Sequence, residues 1–88
     1  MASESLTFSP DGKQLAYIRM FREVRILDAQ TGRIVRRLHP NQFAGGEEIQ
    51  YIQVAWSPDG SEIALRGRPR RIAVLDSATG REKWATQL

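Results

Sequence analysis

Leu6-Thr7-Phe8-Ser9-Pro10-Asp11-Gly12 recurs later in the chain as Val54-Ala55-Trp56-Ser57-Pro58-Asp59-Gly60, and the two stretches align without a gap. At the same offset Leu27-Asp28-Ala29-Gln30-Thr31-Gly32-Arg33 falls on Leu75-Asp76-Ser77-Ala78-Thr79-Gly80-Arg81. Between positions 6–38 and 54–86 a third of the residues are identical, and most of them sit in these two turns. Turns are where backbone geometry restricts residue type most, so identity concentrated in them marks a repeated fold unit with diverged packing.

Each copy reads as four short strands: Ser5 to Ser9, Gln14 to Arg19, Glu23 to Asp28 and Arg33 to Leu38, then Tyr51 to Ser57, Glu62 to Gly67, Arg70 to Asp76 and Arg81 to Gln87. The runs are of strand length and rich in β-branched and aromatic residues. In Ser-Pro-Asp-Gly, Pro10 and Pro58 fix φ at the first central position. Gly12 and Gly60 then accept a positive φ, with Asp11 and Asp59 beside them, closing a hairpin between strands one and two. In Asp-x-x-Thr-Gly, Asp28 and Asp76 can accept backbone N–H bonds while Gly32 and Gly80 take the left-handed conformation of a bulge, closing strands three and four. Val24-Arg25-Ile26-Leu27 and Ile72-Ala73-Val74-Leu75 carry apolar residues on both parities, so both faces of each sheet require cover. The expected fold is all-β, with two four-stranded antiparallel sheets stacked face to face and no helix longer than a turn.

A four-stranded meander repeated at this period, covered on both faces, is the signature of propeller blades. LTFSPDGKQLAYI, VRILDAQTGR, VAWSPDGSEIAL and IAVLDSATGR resemble WD-repeat blades, with the TolB-type propeller as second choice. Leu27-Asp28 and Leu75-Asp76 stand where WD repeats have Trp-Asp, and no Gly-His dipeptide precedes either inner strand. The buried polar relay of that family is therefore missing and apolar packing must hold the blades. The expected division is blade one over residues 1–40, a connector over 41–50 and blade two over 51–88, with strand one beginning just after Met1-Ala2-Ser3. Phe8, Tyr17, Trp56 and Trp84 are read as inter-blade packing residues near the faces that two blades leave uncovered.

At 88 residues a chain forms one small domain with a modest core. Two blades cannot close a ring of four to eight, so apolar blade faces are left over and oligomerisation is expected to complete the ring. The expected partner is the chain itself, in a cyclic homo-oligomer, with a tetramer of eight blades favoured over a trimer of six. No cysteine is present, which excludes disulfides, cysteine zinc sites and thiol nucleophiles. The first residues lack the pattern of a signal peptide and no long apolar run spans a membrane, so a cytoplasmic setting is expected.

Net charge is +3, with 11 arginines against two lysines. Arg19 and Arg22 flank the turn between strands two and three of the first copy, and Arg66, Arg68, Arg70 and Arg71 the same turn of the second. That turn and the connector share one face, so these six arginines form a candidate binding face for an acidic protein. Nucleic acid is disfavoured, since no aromatics alternate with the second cluster as a stacking platform. Candidate catalytic groups are few. His39 is the one histidine and has no nucleophile beside it in sequence. The four turn aspartates have a structural role that needs no metal, and Gly45-Gly46 precedes no helix that would make a phosphate loop. No catalytic residue, metal or cofactor is expected. The expected function is that of a noncatalytic, self-assembling scaffold that binds macromolecules through its arginine-bearing loop face. The alternatives are a blade pair from a larger enzyme-associated propeller, TolB-like or peptidase-type, and a purely structural propeller fragment.

Overall fold

The computed structural model describes residues 5–88, and the expected boundary at the first residues lies outside them. Two four-stranded antiparallel meanders stack as a slab of 39 × 29 × 17 Å. The first contains β1 (Leu6–Phe8), β2 (Gln14–Arg19), β3 (Glu23–Asp28) and β4 (Ile34–Leu38) in sequence order. Where the sequence pattern predicts only a connector, the chain forms a small hairpin of β5 (Phe43–Ala44) and β6 (Glu47–Glu48). The second sheet contains β7 (Gln50–Trp56), β8 (Glu62–Arg68), β9 (Arg71–Asp76) and β10 (Glu82–Gln87). No helix occurs among the described residues.

Both turn types form as their residues dictate. The carbonyls of Ser9 and Ser57 accept the amides of Gly12 and Gly60 at 2.9 Å, and their hydroxyls donate to Asp11 and Asp59. Asp28 Oδ1 accepts the amides of Gln30 and Thr31, and Asp76 Oδ1 those of Ala78 and Thr79. Gly32 and Gly80 both stand at φ 77°, a left-handed value that costs a Cβ-bearing residue roughly 1–2 kcal/mol. Each glycine lies close to a register shift, one residue being extra on β4 and on β10.

Strand alternation sends Ala16, Ile18, Val24, Ile26 and Leu38 of the first sheet against Tyr51, Val54, Ile63, Leu65, Ala73 and Leu75 of the second. This single core lies between the sheets. Ile49 from the connector caps it, filling the space over Gly67 so fully that a Cβ there would come within 2.8 Å of Ile49 Cγ2. Polar groups stitch the same seam. Trp56 Nε1 donates to the Thr7 carbonyl at 3.3 Å, and the Val54 amide to Ser5 Oγ at 3.0 Å. Arg36 Nε donates to the Ser77 carbonyl at 3.0 Å.

Candidate functional site

The β2–β3 turn carries two consecutive left-handed residues. Met20 and Phe21 have φ of 52° and 61°, where hairpins normally place asparagine or glycine. The Arg22 amide closes this turn on the Arg19 carbonyl, and the Phe21 carbonyl accepts the Tyr51 amide from the second sheet at 2.9 Å. The turn is thereby clamped with Met20 63% exposed at its tip. Strain of roughly 1–3 kcal/mol per residue persists only where its surroundings enforce it, and it gathers at ligand-binding segments.

Beside this turn opens a cleft of about 690 Å³. Ile18, Met20, Phe21 and Ile52 supply apolar walls, while Arg19, Arg22 and Glu48 supply charge. A second, shallower hollow is lined by Glu48, Gln50, Arg68, Pro69 and Arg70. Glu48 and Gln50 line both, so the hollows are neighbours on the loop face. Arg22 NH2 meets Glu48 Oε1 at 2.8 Å, but both side chains are about half exposed, and such a pair contributes little against competing ligands. His39 Nδ1 lies 3.8 Å from Glu23 Oε2 at the rim. The Glu23 carboxyl is held below its ordinary range, first by the hydrogen bond from Arg25.

Of the six arginines read as one face, four gather there: Arg19 and Arg22 around the first cleft, Arg68 and Arg70 around the second hollow. Two do not. Arg66 projects from mid-β8 onto the outer side of the second sheet, where it reaches Gln53 Oε1 at 3.4 Å. Arg71 has the opposite parity and turns into the seam between the sheets, with its NH2 at 3.5 Å from Glu82 Oε1. Its Nε is buried without a partner. Tyr51 lies beside it, its hydroxyl donating to the Asn41 carbonyl at 2.6 Å, and burial pushes its pKa up. Period-two alternation with Ala73 and Leu75 is the signal that places Arg71 inside. Nothing in the residue type of Met20 forecasts a left-handed turn, so the sequence carries no sign of its place at the site.

The turn aspartates lie on the opposite face. Asp59 is depressed to about 2, first by the Ser61 amide and then by the hydroxyls of Ser61 and Ser57. Asp28 and Asp76 are lowered chiefly by the amide of the turn threonine and then by that of the residue before it, and Asp11 chiefly by Ser9. Among the described residues no group of three or more His, Cys, Asp or Glu side chains is placed to hold a metal. No helix among them is long and apolar enough to cross a membrane.

The aromatic packing residues divide. Trp56 packs against the core at the seam inside the chain, away from the uncovered faces. Phe8, at 61% exposure, and Tyr17 lie on the outer side of the first sheet. Trp84, at 52%, lies over Val74 on the outer side of the second.

No protein-family model and no curated protein matches the sequence. Among solved structures the β-propeller domain of Cps50 (Swd1) from Myceliophteria thermophila is similar, with a TM-score of 0.77 and 19% identity. The match covers 96% of this chain and 25% of that one, so the chain spans about a quarter of that propeller domain. The shared architecture, with two meanders stacked in chain order and turns repeated at one offset, is that of two adjacent blades of a β-propeller, the fold that the WD-repeat resemblance implies.

Proposed function

We propose that the chain is a noncatalytic interaction module whose loop face captures an acidic, partly apolar segment of another protein. The observation that carries this reading is the strained Met20-Phe21 turn beside a cleft with apolar walls and two arginines, Arg19 and Arg22, next to a hollow that adds Arg68 and Arg70. The apolar floor takes a side chain, and Arg19, Arg22, Arg68 and Arg70 pair with flanking carboxylates. An acidic ligand displaces Glu48 from Arg22 at small cost, because that pair is solvent-exposed.

A fluorescein-labelled peptide of glutamates around a central leucine tests the reading by fluorescence anisotropy. Binding is expected to weaken as salt rises and to fall at least tenfold in the double variant Arg22→Glu, Arg70→Glu. A lysine peptide should not bind. Equal affinity for the double variant and the unaltered chain would overturn the assignment of this face.

A further inference from the structure

The buried seam between the sheets has a second copy on the outside of the molecule. Among the described residues, shifting the seam residues of either sheet by the offset of the sequence repeat moves them onto an outer face of the other. The second sheet's seam side is built on Val54, Trp56, Ile63, Leu65 and Leu75. Its counterparts on the first sheet's outer side are Leu6, Phe8, Leu15, Tyr17 and Leu27, with Leu6 at 63% and Phe8 at 61% exposure. The first sheet's seam side, Ala16, Val24 and Ile26, is matched on the second sheet's outer side by Ala64, Ile72 and Val74. Arg36, which bridges the seam to Ser77, is matched by the exposed Trp84.

The turns obey the same relation. Within the chain Pro10 approaches Gly60, where a Cβ would lie 3.7 Å from Pro10 Cδ, and Leu38 lies against Gly80. At the repeat counterparts, Gly12 and Gly32, a Cβ would meet nothing within 4 Å. The two outer faces are thus repeat counterparts of the two halves of an interface already formed inside the molecule, with arginines at three of the positions.

We infer that the occupant of these faces is a second copy of this chain, its first sheet docked on the second sheet of its neighbour in the register of the internal seam. The contact is heterologous, since neither outer face is complementary to itself, and repetition closes a ring or continues as a filament. With two blades per chain, rings of six or eight blades take three or four copies. The contact between copies is weaker than the seam, because Arg25, Arg37 and Arg66 stand where the seam has Ala73, Ala85 and Ile18. Assembly is therefore concentration-dependent. It involves the sheet faces and is independent of what the loop face binds.

Light scattering on the whole chain across a concentration series decides the matter. The mass is expected to rise from the 10.0 kDa of one chain to three or four times that value. A mass fixed at one chain up to high micromolar concentration would overturn the inference. Polarity is read with Phe8→Glu, which blocks one face, and Trp84→Glu, which blocks the other. Each alone should be a folded monomer by circular dichroism, and an equimolar mixture should form a dimer of twice the single-chain mass through the two intact faces. Self-association of either variant into a dimer would refute the head-to-tail arrangement. If a variant fails to fold, the wild-type mass still decides whether the copies associate.

Discussion

Leu38, the last residue of β4, rests on Gly80 in the β9–β10 turn of the other sheet, and a Cβ added to that glycine would lie 3.0 Å from Leu38 Cδ2. Gly32 has the same φ, 77°, with open space around it. The two glycines are therefore conformationally equivalent and differ only in what presses on them.

Gly32→Ala should destabilise by about 1 kcal/mol, the cost of a Cβ in the left-handed region. Gly80→Ala should cost about 1–2 kcal/mol more, because Leu38 must give way. Urea melts of both variants measure the difference, and adding Leu38→Ala to Gly80→Ala should recover part of it. Equal losses at the two glycines would show that the seam tolerates the extra methyl.

Trp56→Ala and Trp84→Ala should diverge in the same way. Trp56 packs on the core and donates to Thr7, so its loss should cost about 3 kcal/mol. Trp84 is half-exposed, and its loss should change the stability of the monomer by about 0.5 kcal/mol or less. Thermal melts at low protein concentration give the comparison.

Met20→Gly relieves a left-handed methionine and should leave the fold as stable or up to about 1 kcal/mol more stable. The same change should weaken binding of the acidic peptide, since the turn loses its apolar tip. A variant losing both stability and binding would reduce the turn to a structural element.

Stability should fall at acid pH with a defined sign. The Asp59 carboxyl is lower in the folded chain, about 2, than its ordinary 3.8, and Asp11, Asp28 and Asp76 are shifted the same way. The Asp59 contribution is complete above 3.8 and is lost as pH falls through about 2. Glu23 is lowered from 4.5, so urea midpoints followed from neutral pH downward should begin to fall near that value and drop further through the aspartate window. Asp59→Asn should flatten part of the drop.

Much of this fold is legible because it is local. Pro10, Gly12, Asp28 and Gly32 state their turns within a few neighbouring positions, and the repeat states them twice. The hairpin at Phe43–Glu48 is signalled by Gly45-Gly46, both at positive φ, but its strands are too short to show alternation. The site is less readable. Arg66 and Arg71 are neighbours of the loop arginines in sequence, yet strand parity sends one outward and the other into the seam. The conformation of Met20 and Phe21 is held from outside by the Tyr51 amide, a contact between distant parts of the chain that no local pattern encodes.

The meander order has a kinetic meaning. Within each sheet every strand pairs with its neighbour in sequence, so all ladder hydrogen bonds close over short loops. The one distant event is the docking of the sheets, and the chain between β4 and β7 is short enough that this closure carries little entropic cost. Each sheet has no covered face until that event, so the apolar burial that stabilises both arrives with docking. Substitutions at Ile18, Ile26, Ile63 and Leu65 across the seam are expected to alter the rate of folding, whereas those in the glycine turns before β4 and β10 should act on unfolding, and stopped-flow rates of both sets give the comparison.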